Sequence, residues 1–221
     1  RLVQYGFIVF TMVFAAVSLS RILPASAPDF AVYYEAVTRK IDNQPIPDHW
    51  MPPLVRLAYL PIGLVPYQIA QTIWILTSLV SLWISVRLTL RMLGIHSYAA
   101  SVLFFCVAFL SFPVRFTLAM GQVNFIALAL LVFAVTLEMR SYSLRGGLLW
   151  GVAMLLKPEL ILLSLVFGFA KRWRFCLSSL AVLGVAGAMS VLFWGVEEYT
   201  TYVERVISEF GILQGREIYY N

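Results

Sequence analysis

The stretch GGLLWGVAMLLKPELILLSLVFGFA, residues 146–170, decides the fold of this chain. It is an apolar run that Lys157, Pro158 and Glu159 interrupt near its middle. Because a charge in hydrocarbon is costly and a proline removes a helical hydrogen bond, the run predicts a membrane helix broken at this point. Its flanks, EMRSYSLRG and KRWR, are both basic, which favours the cytoplasmic side for both. We therefore expect a hairpin that enters the membrane and returns, with a single kinked span as the alternative.

The composition of the whole chain agrees with a membrane protein. Of 221 residues, 61% are hydrophobic and 12% are charged, whereas a soluble domain carries about a quarter charged residues. Such a chain cannot cover a water-facing surface, so lipid must be its main solvent. The net charge of +5 comes from residues scattered at helix ends, which indicates anionic lipid as the partner and no nucleic acid. We predict an all-α, polytopic transmembrane helical bundle that forms a single domain over residues 1–221.

The remaining elements follow from apolar length and polar breaks, since a span needs about 20 mostly apolar residues. Membrane helices are predicted over residues 2–20, 67–90, 98–112, 125–137 and 175–194, with a polar elbow at 113–124. Residues 21–52 are predicted to be an extracytoplasmic loop that contains an amphipathic helix starting at Asp29. Residues 52–66 are apolar but broken by prolines, which is typical of a re-entrant or interfacial segment.

Basic residues give the expected orientation, because cytoplasmic loops are enriched in lysine and arginine. One side of the bundle collects eight of them with a single acid, Glu138. The set comprises Arg1, Arg87, Arg91, Arg140, Arg145, Lys171, Arg172 and Arg174. The acid-rich loop at 21–52 then lies outside the cell.

Two ionisable residues are the main candidates for chemistry. Lys157 follows an uncharged run and precedes a proline, so it could neutralise a phosphate in a cavity lined by the broken helix; pairing with Glu159 or snorkelling is the alternative. Asp29 starts the amphipathic helix, with Tyr33 one turn later on the same face, and could act as general base on an acceptor hydroxyl. A simple N-cap is the alternative for Asp29, and Glu35 is the rival base.

Several other residues could bind substrate. Arg56 and Arg115 could each grip phosphate oxygens as a fork or anchor a lipid headgroup. Gln122 and Asn124 open a predicted span and could hydrogen-bond a sugar, or satisfy the helix end. Trp50 is the tryptophan that we expect to stack on a sugar. We expect no cofactor and no metal site, since the sequence lacks nucleotide-binding motifs and has only His49 and His96.

A series of segments, in order, resembles glycosyltransferase family 87, the polyprenol-phosphate-mannose-dependent mannosyltransferases of the GT-C superfamily. The segments are PDFAVYYEAV (28–37), MPPLVRLAYLPIGLVP (51–66), QTIW (71–74), GQVNFIALALL (121–131), LRGGLLWGVAMLLKPELILL (144–163) and KRWR (171–174). The order GQVN, then G-x-x-x-G, then LKP is the specific part. The family often has a tyrosine before the double proline, where this chain has Met51.

The resemblance implies a GT-C-like bundle in a bacterial plasma membrane with its active site on the extracytoplasmic side. It also implies that Asp29 is the catalytic base and that the donor phosphate binds near Lys157. The implied reaction moves a sugar, mannose in most of the family, from a polyprenyl-phosphate donor to a glycolipid or glycan acceptor. Family members are longer and have more C-terminal spans, so we expect the chain to be a fragment.

Two other classes remain open from the sequence. A transporter or flippase of lipid-linked sugars would also have a broken helix with a buried lysine, although transporters usually carry paired breaks from internal repeats. A non-catalytic membrane scaffold would tolerate alanine at Asp29 and Lys157.

Overall fold

The computed structural model describes residues 27–42, 44 and 51–215, together with positions 6, 9, 13, 14 and 17; side chains are described as far as residue 207. The predicted span at 2–20 and Trp50 therefore lie largely or wholly outside the described residues. Every regular element in the described part is helical, which confirms the all-α prediction. The α-helices are α1 Pro28–Ile41, α2 Pro53–Tyr59, α3 Tyr67–Met92, α4 Tyr98–Leu110, α5 Phe112–Met120, α6 Asn124–Met139, α7 Ser143–Leu156, α8 Ile161–Phe169, α9 Trp173–Trp194 and α10 Val196–Gly215. Two short 3-10 turns, Leu60–Leu64 and Pro158–Leu160, connect α2 to α3 and α7 to α8.

Four helices form the wall of the bundle, in the spatial order α3, α6, α7, α9. Glycines allow α7 and α9 to approach closely. A Cβ at Gly147 would lie 1.9 Å from Ser178 Oγ, and one at Gly151 would lie 2.8 Å from the Ser179 carbonyl oxygen. In lipid, where no hydrophobic force drives helices together, small residues four apart permit this van der Waals packing.

The split segment at 146–170 is a hairpin, as predicted, and not a kinked span. Trp150 on α7 donates a hydrogen bond from Nε1 to Ser164 Oγ on α8 over 2.8 Å. Its ring also meets Phe167 edge-on, with 4.9 Å between ring centroids. Since these contacts join the middle of one arm to the other, the two arms lie side by side, and Lys157 stands at the tip.

Helix lengths correct part of the predicted span pattern. The helices α3 and α9, with 26 and 22 residues, are long and apolar enough to cross a membrane. The helices at the predicted spans 98–112 and 125–137 are shorter than a full membrane span. The helix α4 has 13 residues, and α6 has 16 residues and reaches about 24 Å. The predicted polar elbow at 113–124 is wrong in its first part, because residues Phe112–Met120 form α5, bent by 71° against α4. Pro113 suits the first turn of a new helix, and this helix ends at Gly121, which has a left-handed backbone.

The helices α6 and α7 run in opposite directions and define two ends of the bundle, which differ in their charged residues. The lysine end contains the start of α6 at Asn124 and the tip of the hairpin at Lys157. The arginine end contains the connection between α6 and α7, and it gathers Arg87, Arg91 and Arg140 around one cavity. Three of the eight basic residues predicted to share one side therefore lie together at this end, and Arg1 lies outside the described residues.

Candidate active site

The start of α1 is fixed at the lysine end by a close backbone approach. Ala27 and Phe30 are fully buried, and Gly121 faces them with φ of +71°. A Cβ at Gly121 would lie 2.6 Å from Phe30 Cβ, so a larger residue would push α1 away. Trp74 on α3 donates a hydrogen bond from Nε1 to the Gly121 carbonyl oxygen over 2.8 Å. Three elements, α1, α3 and the turn before α6, are thereby locked together.

Asp29 lies in the first turn of α1 but does not cap it. The helix begins at Pro28, Ala27 is the N-cap, and no side chain caps the helix, so the N-cap interpretation of Asp29 is wrong. The carboxylate is half-buried, and no hydrogen bond or ion pair joins it to another described residue. A carboxylate at this position is favoured by the helix dipole, and its oxygens stay available as proton acceptors.

Tyr33, one turn after Asp29, connects the start of α1 to the hairpin tip. Its ring stacks on Tyr59 of α2 with 4.6 Å between centroids, and Tyr59 is buried. Burial raises the pKa of the Tyr33 phenol, and the negative charges of Asp29 and Glu159 raise it further. Both carboxylates therefore lie near this phenol, which stays protonated at neutral pH and can donate a hydrogen bond.

A groove of about 290 Å³ opens between α1, α2 and the hairpin tip. Its walls combine apolar and aromatic side chains with one cation and one carboxylate. The lining residues are Val32, Tyr33, Met51, Pro52, Val55, Tyr59, Val123, Leu156, Lys157, Pro158 and Glu159. Such a mixed surface suits an amphiphilic ligand, because it offers apolar contact beside a few polar groups.

Lys157 sits at the edge of this groove. It leaves α7 with extended backbone angles, φ −139° and ψ 91°, and its Nζ lies 3.7 Å from Glu159 Oε1. The lysine side chain is 35% exposed and the glutamate 68%. The pairing foreseen as an alternative is thus present, but an ion pair this exposed is weak and can exchange for a stronger anion.

Arg56 faces away from the groove. Its side chain is buried; Nε donates to the Met51 carbonyl oxygen over 3.1 Å, and one terminal nitrogen lies 3.0 Å from Glu198 Oε2 on α10. It lines a separate cavity of about 560 Å³ together with Lys40, Trp194 and Tyr202. Its guanidinium is therefore not brought together with Lys157, although its neighbour Val55 does line the groove.

Arg115 on α5 also lies outside the groove lining. Its Nε is buried and finds no hydrogen-bond acceptor in the described part of the chain. The guanidinium carbon lies 5.3 Å from the centre of the Phe14 ring, which is cation–π distance. This arginine retains donors that no described residue uses.

Gln122 and Asn124 flank Val123, a buried residue that lines the groove. Asn124 Nδ2 donates to Gln122 Oε1 over 2.7 Å, and Thr117 Oγ1 lies 3.5 Å from the same oxygen. No side chain caps the start of α6, so the two amides bond to each other rather than to the helix end. Trp50 lies outside the described residues, and Met51, the next residue, lines the groove.

Tyr59 lines the groove and Trp74 packs behind it, and sequence reasoning assigned neither residue to the site. Tyr59 packs between Tyr33 and Trp74, with 5.6 Å between its ring and that of Trp74. Both lie in segments that carry the family resemblance, which was the available signal. The rival base, Glu35, accepts a hydrogen bond from Arg39 Nε over 2.8 Å on the same helix.

Comparisons with known proteins bear on this geometry. The model of glycosyltransferase family 87 matches residues 51–217, more than half of the chain. A polyprenol-phosphate-mannose-dependent alpha-(1-2)-phosphatidylinositol pentamannoside mannosyltransferase of Mycolicibacterium smegmatis (strain ATCC 700084 / mc(2)155) is 26% identical over 175 residues. The aligned region is 79% of this chain and 42% of that protein, so the chain spans less than half of that relative's length. No solved structure gives a significant match.

Proposed function

Because the chain belongs to glycosyltransferase family 87, we propose that it forms part of a membrane glycosyltransferase that uses a polyprenyl-phosphate sugar. The sugar is mannose, and the acceptor is a glycolipid or a glycan of the cell envelope. The relative from Mycolicibacterium smegmatis supports the choice of donor, since its name states dependence on polyprenol-phosphate-mannose. The site faces the extracytoplasmic side of a bacterial plasma membrane, in keeping with the basic residues at the opposite end.

The observation that carries the proposal is the groove shared by Tyr33 and Lys157. The groove is apolar along Val32, Val55 and Leu156 and carries an ammonium at its edge. A lipid-linked monophosphate sugar needs this combination, because its tail is apolar and its head is anionic. In the bound state, the phosphate replaces Glu159 as the partner of Lys157.

The proposed reaction uses Lys157 and Tyr33, which line the groove, and Asp29, which lies one turn before Tyr33 on α1 and is not among the lining residues. The bond between the anomeric carbon and the phosphate oxygen breaks, and its electron pair stays on the phosphate, whose growing charge Lys157 stabilises. An acceptor hydroxyl attacks the anomeric carbon from the opposite face, which inverts the configuration. Asp29 accepts the hydroxyl proton as the new carbon–oxygen bond forms. Tyr33 donates a hydrogen bond to the sugar or to a phosphate oxygen.

The remaining candidates have supporting roles in this proposal. Gln122 and Asn124 present amides on either side of Val123, where they bind sugar hydroxyls, and Trp50 stacks on the sugar beside Met51. Arg115 supplies free guanidinium donors for phosphate after a local movement. Arg56 acts on the groove through the position of α2, because its own donors are already bonded to Met51 and Glu198.

The test is an in vitro transfer assay on the full-length protein with polyprenyl-phosphate-mannose and a membrane extract as acceptor. Asp29→Asn keeps the size of the side chain but removes the base, and we expect transfer to fall at least about 100-fold, the lower bound of the range for a general base. The matched control is Glu35→Gln on the same helix, which should change the rate less than about threefold.

Three outcomes would contradict the proposal. Normal transfer by the Asp29→Asn protein would remove Asp29 as the base, and a large loss in the Glu35→Gln protein would transfer that role to Glu35. Movement of the intact sugar lipid across a reconstituted bilayer, with no transfer to any acceptor, would identify a flippase instead.

A further inference from the structure

A second cavity, which the transfer reaction does not use, lies at the arginine end of the bundle. It has a volume of about 530 Å³ and opens between the end of α3, the loop that follows it and the end of α6. Four of its lining residues carry or can carry a positive charge, and none is acidic. The lining residues are Arg87, Leu88, Arg91, Met92, His96, Thr136, Met139 and Arg140.

Arg87 is held in place by the loop between α3 and α4. One terminal nitrogen donates to the carbonyl oxygens of His96 and Ser97 and to Ser101 Oγ, over 3.1, 3.2 and 2.8 Å. Ser101 is fully buried, so the bond network anchors the guanidinium to the interior. The Arg87 side chain thus supplies a fixed positive charge, and its other terminal nitrogen and Nε take part in none of these bonds.

Arg91 and Arg140 bring two more positive charges to the same opening. Both are exposed, and neither forms an ion pair with a described residue. The nearby acid, Glu138, is buried and lies 3.5 Å from Arg172, and it is not part of the cavity lining. Like charges that share a cavity repel each other, and a bound anion would remove that repulsion.

The rest of the lining is apolar. Leu88, Met92 and Met139 stand beside the arginines, and Met139 is 65% exposed. The cavity therefore offers cationic groups next to hydrocarbon contacts at the ends of two membrane helices. We propose that it binds the phosphate headgroup of an anionic phospholipid, with the acyl chains lying along the apolar residues.

A free phosphate has the same headgroup chemistry, but the exposed apolar residues favour a lipid, because only a lipid would cover them. The test uses the full-length protein in detergent, with phosphatidylglycerol as the probe and phosphatidylcholine as the uncharged comparison. Lipid binding is counted by native mass spectrometry, with inorganic phosphate added as a competitor in a separate arm.

The decisive variant is the double substitution Arg91→Gln with Arg140→Gln, which removes two charges and leaves the bonds of Arg87 intact. Its control is the double substitution Arg145→Gln with Arg174→Gln, which removes two charges from the same end at a different, smaller cavity. We expect affinity for phosphatidylglycerol to fall at least tenfold in the first protein and less than twofold in the control, with phosphatidylcholine unchanged in both.

Two results would overturn the inference. Equal losses in the two double variants would show that only the overall positive charge attracts the lipid. Displacement of phosphatidylglycerol by millimolar inorganic phosphate would show that the site is a phosphate site without a lipid component. Lipid binding by the Arg91 and Arg140 variant is measured without sugar transfer. The test of this inference is therefore independent of the proposed reaction.

Discussion

Two cations at the lysine end are paired with carboxylates, whereas the cations that line the cavity at the arginine end have no acidic residue beside them in that lining. At the lysine end, Lys157 pairs with Glu159 and Arg56 pairs with Glu198. At the arginine end, Arg91 and Arg140 share a cavity with no acidic residue in its lining. Paired cations keep a defined position and must give up a partner to bind a ligand, whereas unpaired cations gain charge neutralisation directly. The first arrangement suits a reaction site, and the second suits a bound lipid.

The sharpest way to break this comparison is to remove the cation at each end and measure sugar transfer. Lys157→Ala in the full-length protein should lower kcat at least 100-fold, the size of effect seen when a donor to a developing oxyanion is removed. Arg145→Ala, a loss of the same charge at the arginine end, should leave kcat within about twofold. Similar losses in the two proteins would mean that Lys157 acts only through overall charge.

Removing a partner from the part-buried pair of Arg56 and Glu198 should cost stability. Glu198→Gln leaves the Arg56 guanidinium buried without a counter-charge, and we expect the free energy of unfolding to fall by about 1–3 kcal/mol. Thermal unfolding in detergent measures this, with Glu197→Gln, the exposed neighbour, as the control. A stability unchanged by Glu198→Gln would show that the pair has no structural role.

Removing the hydroxyl of Tyr33 should have a smaller effect on the reaction than removing the charge of Lys157. Tyr33→Phe keeps the stacking on Tyr59 but removes the hydroxyl, and we expect the KM for the donor to rise about three- to tenfold, in line with one lost hydrogen bond. Since the raised pKa keeps this phenol protonated, the wild-type rate should show no tyrosine-dependent decline up to pH 9. A decline below pH 9 that disappears in Tyr33→Phe would contradict this assignment.

The smallest effect is expected from a change of Glu159, which we propose competes with the donor phosphate for Lys157. Glu159→Gln frees Lys157 from an exposed ion pair worth about 0.2–1 kcal/mol, so the KM for the donor should fall by about twofold. Initial rates at several donor concentrations resolve this change. An increase in KM would indicate that Glu159 positions Lys157 rather than competing for it.

Much of the fold could be predicted because its causes are local in the sequence. Apolar length predicted α3 and α9, and the two basic flanks of residues 146–170 predicted the hairpin. The run from Gly147 to Gly151 permits the close contact with α9. The α5 helix was missed because its proline, arginine and threonine are typical of a polar turn, although its nine residues are enough for two helical turns.

The candidate site could be predicted only in pieces. Lys157 stood out because a charge beside a proline is rare in an apolar run. The role of Asp29 in the helix start was misread, since the N-cap is Ala27 and the helix begins two residues earlier than an Asp29 cap would place it. The pairing of Arg56 with Glu198 joins residues 142 positions apart, and no local pattern indicates such a contact.

The ion pair between Arg56 and Glu198 couples the position of α10 to the groove. Glu198 lies in the first turn of α10, and Arg56 belongs to the short helix α2, whose Val55 and Tyr59 form one wall of the groove. A displacement of α10 must therefore either separate this part-buried ion pair or move α2 as well. A binding event on the far side of α10 would in this way widen or narrow the opening of the groove without contacting the groove itself.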